Sequence, residues 1–337
     1  MSKDLISIVI PIYNAEDRIK ICLDSVINQS INNIEIVLIN DGSTDRTKEI
    51  IETYDFKNIK HKIINKENEG VSKARNLGIM ESTGDLITFL DADDTLTSSA
   101  LEYASKLFRK GVDAVKTSYN LDYNGKKIPC YSVEDEKIYN KEEINNIILN
   151  LLIGKSNGFS SIIMVKRNIL INNNVFYQEN VKYMEDLIFI IRLLRNCNTI
   201  YVSKKITLNY YQSSNSISRS INIFKRIDGI TNRYNSCIGY FNSKEYKDYK
   251  SVFINKIVEM YLKSQKYILN DKKNLIIINK KIINEIDKII NDNSEIKLSV
   301  SNKILVFFVK NNYRFIFLII NYFYEIYLRM KGVKYYD

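Results

Sequence analysis

Residues 84–94 run Gly84-Asp85-Leu86-Ile87-Thr88-Phe89-Leu90-Asp91-Ala92-Asp93-Asp94. Asp85 to Leu90 has the length and apolar content of a buried strand, and three carboxylates, Asp91, Asp93 and Asp94, follow directly. Charged side chains at such a point cost stability unless something positive meets them. Two aspartates with one residue between can face one cleft and offer the oxygen ligands that Mg²⁺ or Mn²⁺ prefers. The plainer use of the same residues is a helix N-terminus, where the dipole favours acids.

Working back from this stretch, short apolar runs alternate with helical patterns. Leu5 to Ile10 is a first strand, ended by Pro11. Ile19, Cys22, Leu23, Val26 and Ile27 then recur at helical spacing. Ile34 to Ile39 is a second strand, followed by the turn Asp41-Gly42-Ser43-Thr44 and a helix over Asp45–Tyr54 with Ile50 and Ile51 inward. His61 to Ile64 reads as a third strand, and Val71 to Met80 as a helix with Ser72 or Asn68 as its cap. Val112 to Thr117 is a fifth strand. This alternation predicts an α/β fold with a mostly parallel sheet covered on both faces. Ligands of such sheets bind beyond the carboxyl ends of the strands. Tyr13, Asn14, Asp41, Asn68, Asp91 and Asp93 all fall there. Residues 118–215 mix loops, strands and helices, and basic helices are expected near 222–240, 244–268, 273–291 and 301–330.

Composition narrows the chemistry. With 45% hydrophobic and 26% charged residues in 337, the chain can bury a full core and is not a disordered polymer. Cys22, Cys130, Cys197 and Cys237 form no C-x-x-C pair, which argues against a zinc site or a disulfide framework. The only histidine is His61, so carboxylates must carry acid–base and metal chemistry. A net charge of +10 suggests an anionic partner or a solvated basic surface. Met1-Ser2-Lys3-Asp4-Leu5 lacks the features of a signal peptide, so a cytoplasmic protein is expected.

Ordered companions surround the acidic cluster: Pro11-Ile12-Tyr13-Asn14 with Glu16, Asn40-Asp41-Gly42-Ser43, Asn68-Glu69-Gly70, Ala74-Arg75-Asn76, and Gly84-Asp85. Their order and spacing resemble the inverting family-two glycosyltransferases of the GT-A fold, closely over residues 5–95. Glu185-Asp186 and Ser216-Ile217-Ser218 extend the likeness towards residue 220. The resemblance implies a Rossmann-like sheet with a C-terminal helical extension, a UDP-sugar donor, and Mn²⁺ or Mg²⁺ as cofactor. It implies a donor site built from Pro11, Tyr13, Glu16, Asp41, Asn68, Arg75, Asp91 and Asp93, with Asp93 and Asp91 at the metal.

Each role has a physical basis and a plainer alternative. Tyr13 offers a face for a pyrimidine base, or is a rim aromatic. Asp41 can accept the imide N–H of uracil, which cytosine lacks. Arg75 is a planar donor fork for base or diphosphate, or one half of an ion pair on a helix. Asp91 would hold ribose or a sugar hydroxyl, and Asp93 the metal. Leu187, Ile190, Ile191 and Leu194 form a helical stripe, which places Glu185 and Asp186 at a helix start. They are simple capping residues there, or one of them is a general base. The family pattern assigns the base to Asp186, with Glu185 as fallback. Residues 210–219, ending in Arg219, read as a loop near the diphosphate or as plain surface.

The chain has no tryptophan, hence no Q-x-x-R-W element, and no apolar stretch of the roughly 18–20 residues that would span a membrane. Addition of one sugar per encounter is therefore expected, in bacterial surface polysaccharide or glycoconjugate assembly. A sugar-phosphate nucleotidyltransferase would carry a glycine-rich loop after the first strand, where Pro11-Ile12-Tyr13-Asn14 stands instead. A basic nucleic-acid-binding protein would not concentrate carboxylates at strand ends, so no nucleic-acid partner is expected. The expected organisation is a catalytic domain over 1–219 and a basic helical region over 220–337. In the latter, Phe315 to Leu328 is nearly all apolar or aromatic, with Arg314, Arg329 and Lys331 on its borders. As a helix of about 21 Å it is too short to cross a bilayer. It suits an anionic membrane surface on the inner face of the cell membrane, near a lipid-linked saccharide acceptor, or a contact in a homo-oligomer.

Overall fold

The computed structural model describes residues 4–123, 125–179, 185–212, 223–244, 246–264 and 275–310. It begins with β1 (Ile6–Ile12), α1 (Ile19–Ile27), β2 (Ile34–Asp41), α2 (Thr47–Glu52), β3 (Lys60–Lys66), α3 (Val71–Glu81) and β4 (Leu86–Phe89). Then follow β5 (Thr95–Leu96), α4 (Ala100–Leu107), β6 (Ala114–Tyr123), β7 (Lys126–Cys130) and β8 (Lys137–Asn140). The α/β part closes with α5 (Lys141–Leu152), β9 (Ile163–Lys166), α6 (Arg167–Asn172), α7 (Glu185–Asn196) and β10 (Thr199–Tyr211). The helices α8 (Ile223–Phe241), α9 (Lys247–Ser264), α10 (Leu275–Asp292) and α11 (Val300–Lys310) complete the described chain. It divides into two compact units, one drawn mainly from residues before 215 and the other mainly from those after.

The first unit is built on one sheet of strand order β3-β2-β1-β4-β9-β6-β10-β5, with β7 on β6 and β8 on β10. β1, β2, β3, β4, β6 and β10 share one direction, while β9 and the short β5, β7 and β8 run against it. The sheet is thus mostly parallel, and its parallel half follows from composition. Every residue of β1 and of β2 is buried, which is why they read as continuous apolar runs rather than alternating ones. α3 lies so close over β1 that a Cβ on Gly78 would come within 2.2 Å of Val9, so only glycine fits. Glu35 of β2 ties the opposite end of the sheet. It is buried and accepts hydrogen bonds from the Ser7 and Thr83 side chains and the Thr83 and Gly84 amides, with Lys60 Nζ at 2.8 Å.

Two details differ from the sequence reading. α3 is not capped by Ser72 or Asn68; its N-cap is Gly70, without a side-chain cap bond. The strand expected over Val112–Thr117 is β6, which runs on to Tyr123 because β7, β9 and β10 all pair with it. Of the helix expected over 301–330, α11 covers the described portion, and residues 311–337 lie outside the described residues.

In the second unit, Phe241 of α8 stacks on Phe253 of α9 at 4.4 Å, and Thr231 bonds Tyr261 across the same pair. Asn293, just past α10, donates to Tyr234 of α8. Asn302 of α11 donates to the Asn255 carbonyl of α9. Among the described residues no helix is long and apolar enough to cross a membrane.

Candidate active site

The carboxyl ends of β1, β2, β3 and β4 carry the polar loops, as a parallel sheet dictates. The first two are laced together. Asn14, at φ 48°, accepts the Thr44 amide at 2.8 Å and donates its own amide to Ser43. Glu16 accepts the Arg46 amide at 2.9 Å, so this carboxylate is engaged in joining two loops. Pro11 is buried in β1 opposite Ile39, whereas Tyr13 stands 52% exposed at the rim, open to a flat ligand. Gly42 has φ +73°, and a Cβ there would lie 2.6 Å from the Asn68 amide nitrogen. The loops after β2 and β3 therefore touch, with the Asn68 side chain exposed beside them.

Asp41 lies beneath this rim, 3% exposed. Its Oδ1 accepts Lys66 Nζ at 2.7 Å and the Glu69 amide at 3.0 Å, and Oδ2 accepts the Gly70 amide at 2.8 Å.

The acidic turn after β4 separates its members. Asp91 is half-buried and its Oδ1 accepts Arg75 Nη2 at 2.8 Å. Asp93 is exposed, and its carbonyl accepts both Nε and Nη2 of Arg18 at 3.3 and 3.2 Å. Asp94 is fully buried; Oδ1 accepts the Tyr211 amide at 2.8 Å, while Oδ2 has no hydrogen-bond partner. Arg18 also lies over the Tyr211 ring, 3.9 Å from its centroid, so it joins the turn to the end of β10. Burial first, and then Asp91 and Asp93, raises the pKa of Asp94 well above the usual carboxylate range.

Arg75, on α3, is the hub. Only 4% exposed, it faces Asp91 at 2.8 Å, Asp186 at 3.3 Å and Glu185 at 3.8 Å. Its guanidinium also lies 5.1 Å from the centroid of Tyr177, a ring stacked at 4.0 Å on Phe189 of α7. The next residue, Asn76, exchanges two hydrogen bonds with the Tyr177 backbone. Arg192 of α7 holds the Phe176 carbonyl. These contacts place the start of α7 over the acidic turn. Asp186 Oδ1 accepts the Ser160 hydroxyl at 2.9 Å. Burial raises its pKa to about 6, with Asp91 and Glu185 adding to the rise and Arg75 opposing it.

The structure thus brings Arg75, Asp91, Glu185 and Asp186 into one cluster, with Asp93 on the same acidic turn as Asp91. Tyr13 and Asn68 stand at the rim, with Asp41 buried beneath it. His61 stacks on Phe56 at the opening of β3, the end opposite these loops. Residues 213–222, with Ser216, Ile217, Ser218 and Arg219, lie outside the described residues. Sequence reasoning missed Ser160, Tyr177, Arg18 and Lys66. Lys66 alone had a local signal, because β3 pairs in register with β2 and sets it opposite Asp41. Among the described residues no three Asp, Glu, His or Cys side chains converge as a ready-made metal cage. On the acidic turn the exposed Asp93 carboxylate offers the oxygens that Mg²⁺ or Mn²⁺ prefers, while Asp91 Oδ1 is engaged with Arg75 and Asp94 is buried.

A carboxylate-rich cleft at the carboxyl ends of a mostly parallel sheet, with D-x-D after its fourth strand, defines a GT-A glycosyltransferase fold. Residues 7–164 match the family model of glycosyl transferase family 2. Glycosyltransferase GlyA of Streptococcus pneumoniae is 42% identical over 112 residues, which cover 33% of this chain and 15% of GlyA. The chain thus spans well under two thirds of that relative. S. aureus TarS superposes with a TM-score of 0.60 at 20% identity, over 92% of this chain and 54% of TarS. TarS 1–349 in complex with UDP-GlcNAc superposes with 0.55 at 19% identity, over 86% and 92%. The mannosyltransferase PcManGT of Pyrobaculum calidifontis, solved with GDP-Man and Mn²⁺, gives 0.52 at 13% identity, over 95% and 87%. At these identities the solved structures establish the fold alone.

Proposed function

We propose that the protein transfers one hexosyl or N-acetylhexosaminyl group from a UDP-sugar to a saccharide hydroxyl with inversion, in bacterial surface polysaccharide or glycoconjugate assembly. The observation that carries this reading is Arg75, which draws Asp91 of the acidic turn and Asp186 of α7 to one guanidinium. Donor-side and acceptor-side carboxylates then share one cleft. The UDP-GlcNAc complex of TarS 1–349 supports a uridine donor on this fold.

In this mechanism the uracil stacks on Tyr13 and presents its imide N–H to Asp41, with Asn68 and Pro11 beside it. Asp91, held by Arg75, meets ribose or sugar hydroxyls, and Asp93 is the protein's cation ligand. A bound Mn²⁺ or Mg²⁺ would neutralise charge on the diphosphate leaving group. The acceptor oxygen attacks the anomeric carbon opposite the diphosphate, the bond from carbon to diphosphate oxygen breaks, and the acceptor proton passes to Asp186. A carboxylate with a pKa of about 6 is ionised at neutral pH yet basic enough to accept a proton. Phe159 and Tyr210 stack 5.1 Å apart next to Ser160 and offer an apolar face for the acceptor sugar. Burial, and then Asp94, Asp93, Asp91 and Asp186, pushes the Tyr210 hydroxyl up to about 12, as expected of a ring set among these carboxylates. We assign catalysis to residues 1–219 and a supporting role, at an anionic membrane surface or between subunits, to the helical region 220–337.

The test is a donor panel: the full chain, Mn²⁺, and UDP-, GDP-, CDP- and dTDP-sugars, with release of free nucleotide as the readout. Slow hydrolysis of a UDP-sugar, stopped by a chelator, is expected. Release from none, or undiminished release in the chelator, refutes the reading.

A further inference from the structure

In the donor reading above Asp41 meets the base, and Lys66 is the side chain that holds Asp41. Lys66 is the last residue of β3 and pairs in register with Asp41, the last residue of β2. Its ammonium has three N–H donors. They go to Asp41 Oδ1 at 2.7 Å, the Glu67 carbonyl at 2.6 Å and Glu69 Oε2 at 2.8 Å. None remains for a ligand. Glu69 is itself held by Lys73 at 2.6 Å, so the acceptors around Lys66 are fixed.

A carboxylate offers about four lone-pair sites. On Asp41 three are filled, two on Oδ1 by Lys66 and the Glu69 amide and one on Oδ2 by the Gly70 amide. One site on Oδ2 is left. In the donor reading above, the base edge meets Asp41 through that open site. With its side chain only 4% exposed, Asp41 depends on Lys66, at 15%, for its counter-charge.

We propose that Lys66 is the positioning residue for nucleobase choice: it holds the Asp41 carboxylate with one open acceptor site towards the base, so the site takes uracil and refuses cytosine. The inference rests on the donor reading above. Uracil presents N3–H to the open site on Oδ2. Cytosine presents a lone pair at N3, and two acceptors then face each other. Without the ammonium, Asp41 Oδ1 keeps only the Glu69 amide, and the carboxylate turns its open site away from the base edge, which costs uracil a hydrogen bond and relieves cytosine of a facing acceptor. Loss of Lys66 therefore changes discrimination as well as affinity.

The experiment is calorimetric titration of UDP and of CDP into the full chain with Mn²⁺, for wild type, Lys66→Met and Lys66→Arg, with folding checked by thermal melting. Wild type is expected to prefer UDP. Lys66→Met should weaken UDP by about tenfold or more and strengthen CDP, since a hydrogen bond to a charged group is worth that much. Lys66→Arg should keep most of the preference. If the Met variant does not fold, Lys66→Gln supplies the neutral side chain. An unchanged UDP-to-CDP ratio in a folded neutral variant, with both ligands weakened alike, assigns Lys66 a structural role only and overturns the inference by itself. A wild type without UDP preference overturns the donor reading, and this inference with it.

Discussion

In the proposed mechanism Asp186 takes the acceptor's proton, and the burial that raises its pKa carries a cost in stability. Its pKa, about 6 against 3.8 unperturbed, means that the fold favours its protonated form. Stability from that preference is present below the unfolded value and lost as pH rises through about 6. Asp186→Asn should therefore melt higher than wild type above about pH 6 and no higher below about pH 4. The same variant should lose transfer by about 10²–10⁴-fold while binding UDP unchanged, because the amide cannot take the proton. Wild-type transfer should fall about tenfold per pH unit below about pH 6. A rate that stays flat to pH 4.5 would pass the role of base to Glu185. The acidic turn makes the next prediction. Asp93→Ala should abolish metal-dependent activity with little change in melting temperature, since Asp93 is exposed. Asp94→Ala should instead destabilise, because it empties a buried site and leaves the half-buried Tyr211 amide without this acceptor. The aspartates were legible as a motif, and the resemblance offered roles for Asp91 and Asp93, but their separate surroundings were not legible: Arg75 on Asp91, Arg18 on the Asp93 carbonyl and the Tyr211 amide on the buried Asp94 come from contacts that no local pattern encodes.

At the scale of elements, legibility tracks how the energy is distributed. β1 and β2 bury both faces, so continuous apolar runs announced them, and α7 was visible from its apolar stripe. The reversed β9, inserted between β4 and β6, carries no sequence mark of direction. β6 hides a second feature. Its Lys116 is 2% exposed, and Nζ donates to Ser132, Glu134 and Ser156 at 2.7, 2.9 and 2.6 Å. A buried ion pair contributes little beyond a hydrophobic pair, but breaking one partner strands the other. Lys116→Met should thus cost about 3–5 kcal/mol in denaturant unfolding, and Lys116→Met with Glu134→Leu should recover much of it. Equal losses in the single and double variants would show that Glu134 is not stranded. Glu35 makes the opposite case on β2. Burial works against its charge, yet hydrogen bonds from Lys60, Ser7 and Thr83 hold its pKa down at about 2. That contribution is complete above the usual 4.5 and is lost as pH falls towards 2.

At the scale of the whole molecule, a positive excess of ten charges accompanies a catalytic cleft that is itself acidic. The excess must therefore act elsewhere, and the C-terminal part of the chain is where apolar and basic residues coincide. Val300, Ile304 and Phe307 of α11 are 73%, 45% and 56% exposed, at the spacing of one helix face, while Asn302 and Val306 are buried. Lys303 and Lys310 accompany them in sequence. Beyond α11, in residues outside the described part, Phe315 to Leu328 is apolar and aromatic apart from Asn321 and Glu325, with Arg314, Arg329, Lys331 and Lys334 around it. Each Lys or Arg near an anionic leaflet is worth about 1 kcal/mol and is screened by salt, whereas apolar insertion is not. The full chain should therefore float with vesicles containing anionic lipid at low salt, less at about 0.5 M salt, and hardly with neutral vesicles. A chain ending at Lys310 keeps α11 and its bond to Asn255, so it should stay folded and yet float poorly. If both chains fail to float at low salt, the segment serves packing or subunit contact instead. Sedimentation of the two chains side by side would then show whether the longer one associates.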